Sequence, residues 1–257
     1  MKKLLLVATA AVALTAAGSA GAADLARPVY KAAPPPVIYS WTGCYVAGGG
    51  GYGMWNQDVT EFGVGGVAFT ANQTNGGRGW FGTVQVGCDY QINSNWVIGA
   101  FADYDFSNIK GDANLGFPFV GEEKERSAWA VGGRVGWLPM EKLLTYVAAG
   151  YTQARFDQVN LFSQILGVGP VGLFVDRHTY SGWFVGTGYE YALGWLPGLF
   201  WKTEYRYADY RTDTVPILVT ATGLPSGLSL DSHKYIQTVR SELVWRFNWG
   251  GGVVAKY

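Results

Sequence analysis

The two histidines, His178 and His233, are the only side chains here suited to proton transfer near neutral pH. Ser181, Ser232, Asp176 and Asp231 lie close to them in sequence, the residue types a lipid-modifying hydrolase uses as nucleophile and orienting acid. No spacing links them into nucleophile, base and orienter, so the expectation is no catalytic residue. Gly48–Gly51 resembles a phosphate loop only superficially, because no Gly-Lys-Ser/Thr follows and the run sits in a strand-like segment. Cys44 and Cys88, with no histidine nearby, supply too few ligands for a metal. No cofactor is expected.

The remaining chemistry lies in charged residues that alternate with rings and aliphatics. Trp80, Val84, Val86 and Tyr90 oppose Thr83, Gln85 and Asp89. Trp96, Ile98, Ala100, Tyr104 and Phe106 oppose Gly99, Asp103 and Asp105. Trp129, Val131, Val135 and Trp137 oppose Gly132, Arg134 and Gly136. Further along, Trp183, Val185, Tyr189 and Tyr191 oppose Gly186, Gly188 and Glu190. Trp201, Thr203, Tyr205 and Tyr207 oppose Lys202, Glu204 and Arg206, and Val239, Leu243, Trp245 and Phe247 oppose Arg240, Glu242 and Arg246. With Trp41–Gly53 and Leu143–Phe156, eight segments read as strands of period two.

Alternation does not say which face is inside. A soluble sandwich turns its rings inward; a membrane barrel turns them to lipid and keeps polar groups in the lumen. Glycines on the charged faces suit a crowded interior, and aromatics gather at segment ends as an interfacial girdle. Connections alternate too. Asn93–Asn95, Leu138–Lys142 and Ala192–Gly198 are short, whereas Met54–Arg78, Ser107–Glu125, Asp157–Arg177 and Arg211–His233 are long. The expected fold is an all-β transmembrane antiparallel up-and-down barrel of eight strands, with short periplasmic turns and long extracellular loops. Both termini then lie in the periplasm. In hydrocarbon the sheet must close, because an open edge leaves peptide groups unpaired.

Composition agrees. The 257 residues hold 37 glycines, 16% aromatics including 11 tryptophans, and only 15% charged side chains, balanced at 19 basic and 19 acidic, with mean hydropathy +0.07. That excludes a disordered polar chain and argues against a nucleic-acid partner. Met1-Lys2-Lys3, the apolar run Leu4–Ala17 and Ala20-Gly21-Ala22 read as a signal peptide over residues 1–22. Residues 23–40, with Pro28, Pro34, Pro35 and Pro36, read as a Pro-rich periplasmic leader, 41–247 as the barrel and 248–257 as a C-terminal extension.

Eight inward charges form the expected lumen network: Asp103, Arg134, Glu190, Lys202, Glu204, Arg206, Arg240 and Glu242. Mixed signs permit mutual ion pairing, so a structural plug is expected, with a narrow porin-like path for ions or small solutes as the alternative. A register pairing Tyr52 with Trp80 also pairs Cys44 with Cys88, compatible with a disulfide in the oxidising periplasm. A slightly shifted register leaves two lipid-facing thiols instead. For the apolar stretch Asp157–Arg177 three readings stand: a cover over the barrel mouth, an extension of the strands, or an adhesive surface.

The segments WTGCYVAGGGGYG (Trp41–Gly53), GTVQVGCDYQ, GWFVGTGYEYAL and TVRSELVWRFNWGG, with the ADLA start, resemble the small outer-membrane immunogenic-protein family of Gram-negative bacteria. The resemblance covers the whole mature chain. It implies a porin-like eight-stranded surface antigen without a shared catalytic constellation. Expected partners are outer-membrane lipid, the outer-membrane assembly machinery and host or surface ligands at the loops. Such barrels end on an aromatic read by that machinery. Here Phe247 ends the last strand, but ten residues follow and finish at Tyr257.

Overall fold

The computed structural model describes residues 40–247, apart from 69, 117–118, 164 and 166–168. The expected signal peptide, the leader up to residue 39, the extension 248–257 and Tyr257 lie outside the described residues. The strands are β1 (Gly43–Phe62), β2 (Gln73–Gln91), β3 (Trp96–Gly116), β4 (Phe119–Met140), β5 (Leu143–Phe156), β6 (Val159–Ser163), β7 (Gly169–Val175), β8 (His178–Ala192), β9 (Leu199–Val219) and β10 (Pro225–Phe247). Leu143–Phe156, apolar at nearly every position at its start, is a strand.

Antiparallel pairing runs β1–β2–β3–β4–β5–β8–β9–β10 and returns from β10 to β1. The ring of eight is closed. β6 continues the path of β5 and pairs with β4, while β7 leads into β8 and pairs with β9. At that end the circuit passes through β6 and β7 instead of β5 and β8. The stretch Asp157–Arg177 therefore extends the strands, and ten named strands build an eight-stranded wall.

The expected long loops are mostly strand. β1 runs to Phe62 and β10 starts at Pro225, so Met54–Phe62 and Pro225–His233 are paired where loops are expected. Strands of about 20 residues reach roughly 65 Å along their axes, more than twice the ~25 Å apolar band of such a barrel. Their outer halves stand in water. Asn56, Asp58 and Thr60 face out there while Gln57 and Glu61 face in, so the alternation of greasy and polar that marks a lipid-facing strand disappears.

Within the membrane band the orientation is as expected. Trp80 and Tyr90 are 72% and 60% exposed on the outer face, and Trp96, Trp137, Trp183 and Trp201 point outward with them. Asp89, Asp103, Arg134, Glu190, Lys202 and Arg206 are buried in the lumen. Rings also fill the interior: Trp41, Tyr45, Phe81, Phe101, Phe184 and Phe200 share the parity of the charges and are buried among them. Glycine makes room for them. A Cβ on Gly132 would sit 2.8 Å from the Phe184 ring.

Candidate functional site

The lumen is built in layers, each holding charges of both signs in contact. At the end where β1 begins and β10 finishes, Arg134 donates from Nε to Asp89 Oδ1 (2.9 Å) and faces Glu190 across 3.4 Å. Arg246 donates to Glu190 Oε1 (2.7 Å), to Asp89 Oδ2 (2.7 Å) and to the Trp41 carbonyl (3.3 Å). Two guanidiniums and two carboxylates thus satisfy one another. Tyr45 and Tyr146 flank Arg134 at 4.8 and 5.0 Å, and Arg246 lies 4.9 Å from the Trp41 ring. Cations placed over ring faces gain electrostatically while the rings exclude water.

In the next layer Lys202 pairs with Glu242 (2.5 Å) and donates to Gln85. Arg206 forks onto Asp103 (3.1 and 2.8 Å), donates from Nε to Glu204 Oε1 (2.9 Å) and stacks 4.3 Å from Phe184. Tyr146 donates to the other Glu204 oxygen (2.8 Å). Arg240 reaches Asp105 (3.0 Å) and Asp103 (3.5 Å). Planar guanidiniums suit these paired contacts, which bring direction as well as charge. The void bordered by Asp103, Asp105, Glu125, Thr152, Arg206 and Arg240 holds about 20 Å³, room for roughly one water molecule.

Farther outward the expected network is incomplete. Lys234, fully buried, donates to Glu123 (2.7 Å) inside a cage of Phe156, Tyr180 and Trp55. Ser107 donates to Glu125 (2.8 Å). Glu123, Glu125 and Lys234 fall in or beside the expected loops Ser107–Glu125 and Arg211–His233, where period two assigns no face. Above them Val59, Val159, Leu161, Val215, Ile217 and Leu230 form a second, apolar core. Glu61 is buried at this level, nine residues beyond Tyr52 on β1, and burial pushes its pKa up to about 7. Its carboxyl therefore keeps a proton to higher pH than an exposed glutamate does.

The other candidates resolve simply. Cys44 and Cys88 face each other across β1–β2 and are bonded. His178 pairs with Asp213 and His233 with Asp209, each at 3.0 Å, on the outer half of the wall. Ser232 points inward to Gln57 and Tyr180, and Ser181 accepts from Gln153. Among the described residues neither histidine bonds to a serine, and Asp176 instead accepts from the Arg177 backbone. Gly48–Gly51 is paired with both β2 and β10 along its length, which leaves no loop to cradle a phosphate. Phe247 ends β10 opposite Cys44, exposed on the lipid face.

The model of the outer membrane protein beta-barrel domain matches residues 8–247. The 31 kDa outer-membrane immunogenic protein of Brucella melitensis biotype 1 is 29% identical over 221 residues, covering 81% of this chain and 87% of the relative. Its counterpart in Brucella suis biovar 1 matches to the same extent. Among solved structures, the outer membrane protein OprG of Pseudomonas aeruginosa superposes with a TM-score of 0.52 at 13% identity, over 80% of this chain and 97% of that one. A closed eight-stranded wall, rings turned to lipid, charges sealed within and a family match spanning the wall lead to one conclusion: the chain belongs to the outer membrane protein β-barrel domain family and is a Gram-negative outer-membrane protein.

Proposed function

We propose that the protein is a sealed, non-catalytic barrel whose role is to hold its outward strand extensions and their turns at the cell surface as an antigenic and interaction platform. The carrying observation is the filled lumen: ion pairs, stacked rings and an apolar core succeed one another along the interior. Such packing supports a plug over a conduit, because a conducting path needs hydrated space that these side chains occupy. The relatives called immunogenic support the surface role. The closing turn between β8 and β9 and those after β2 and β4 lie at the end where β1 begins and β10 finishes, which fits periplasmic termini. Phe247 is then offered to the assembly machinery from the periplasmic side, and the outer turns to host or surface ligands.

Placement of the outer turns is open to direct test. With Cys44 and Cys88 bonded, a single new cysteine at Thr222, in the exposed β9–β10 turn, is the one free thiol among the described residues. A membrane-impermeant maleimide should label Thr222→Cys on intact cells, and a cysteine at Ser94, in the β2–β3 turn, only after lysis. The reverse pattern contradicts the proposed orientation.

A further inference from the structure

The outer wall carries a graded sequence along β5. Its outward positions read Val147, Ala149, Tyr151, Gln153 and Arg155, from aliphatic through ring and amide to guanidinium. Neighbouring strands bring Trp183 and Val131 beside Tyr151, and Trp129 beside Gln153. Arg155 stands four residues beyond Tyr151, about 13 Å along the strand and about 10 Å along the membrane normal at ~40° tilt. With Tyr151 in the outer ring belt, the Arg155 backbone stands just above the headgroup layer, and its long side chain can reach back into it.

At that level the wall is interrupted, because Asp157-Gln158 and Asp176-Arg177 separate β5 from β6 and β7 from β8. A register shift in β4 between Glu125 and Ser127 turns Arg126 outward at the same level. Arg126, Arg155, Asp157, Gln158 and Arg177 line one cleft of about 450 Å³. Arg126 has a weak partner, Asp157 at 3.5 Å. Arg155 and Arg177 have no side-chain acceptor among the described residues, and Asp176 is turned to the Arg177 backbone N–H. The opposite rim differs. There Asp58 and Asp231 accept from Thr74 and Thr214, and the outward cations Arg78, Lys110 and Lys124, in register on β2–β4, are balanced by acids: Arg78 and Lys110 share their cleft with Asp112 and Glu122, and Lys110 pairs with Glu122 at 3.3 Å.

The structure assigns this cleft as a binding site for the phosphate groups of an outer-leaflet glycolipid. Three converging guanidiniums within reach of the headgroups, over a belt of rings for the acyl chains, match a doubly charged headgroup better than a neutral one. Diphosphorylated lipid A is the probe, added to the full-length protein in uncharged maltoside micelles and followed by native mass spectrometry. Removing three interfacial cations should weaken binding roughly 100-fold, so Arg126→Ala/Arg155→Ala/Arg177→Ala should lose most of the bound lipid. Arg155→Glu makes no packing change in the described contacts and keeps the test open if the triple variant does not fold. It should bind about 20- to 30-fold more weakly.

Dephosphorylated lipid A should bind wild-type protein no better than the triple variant binds the phosphorylated form. Equimolar inorganic phosphate should displace nothing. Heat-modifiable gel mobility reports that each variant is folded. The assignment is overturned by folded variants that bind within twofold of wild type, by equal affinity for the dephosphorylated lipid, or by displacement with free phosphate, which marks a simple anion site.

Discussion

Arg134→Ala is expected to lower the unfolding free energy of the barrel by about 3–5 kcal/mol, the cost of leaving buried charges without their partner. The side chain holds Asp89 through two contacts and faces Glu190, all three being nearly inaccessible. Without it, two carboxylates share only Arg246, and the ring faces of Tyr45 and Tyr146 lose the cation between them. Urea titration in micelles, read by tryptophan fluorescence, gives the difference. A neutral, space-filling pair tests the cause. Arg134→Met with Asp89→Asn should recover a large part of the loss, because buried ion pairs are often replaceable by well-packed neutral groups. A cost below about 1 kcal/mol for Arg134→Ala would show that the quartet is hydrated and not sealed.

The second large effect concerns the cystine. Cys44 and Cys88 lie 44 residues apart and join β1 to β2 at the end of the wall where β1 also meets Phe247 of β10. A cross-link over that span removes loop-closure entropy worth roughly 2–4 kcal/mol from the unfolded chain. Cys44→Ser/Cys88→Ser should therefore unfold at lower urea, and reduced wild-type protein should match the variant. Mass spectrometry without reductant should find no free thiol. Two alkylatable cysteines, or no shift in the unfolding midpoint, contradict this part of the account.

How much could be read from residues alone follows the solvent around each strand. Where lipid faced one side and the lumen the other, the contrast was steep. Trp80, Val84 and Val86 against Thr83, Gln85 and Asp89 were enough to assign the faces, and the same parity placed Lys202, Glu204 and Arg206 inside. The register joining Tyr52 to Trp80 carried Cys44 to Cys88, as the wall pairs them. Beyond the outer ring belt both faces lose that contrast. Asp58 looks out and Gln57 looks in, both polar, so continuing strands read as loops. Glu123 and Lys234 were missed for that reason.

The interior rings were hidden differently. Phe81, Phe101 and Phe184 sit at the same parity as the charges, so hydropathy alternation argues against placing them inside. They are there because a lumen packed only with Arg and Glu leaves gaps that water would enter, and guanidinium planes stack well on rings. The arginine cleft left no periodic signal at all. It depends on a register shift in β4 and on the two breaks flanking β6 and β7.

Ion conductance through single molecules in a planar lipid bilayer tests the sealed lumen most directly. Purified barrel at a density that gives many insertions should leave the baseline current flat, with Lys202→Ala and Glu204→Ala proteins equally silent. Discrete, reproducible current steps whose size changes with either substitution would contradict the plug and establish a water-filled path along the network.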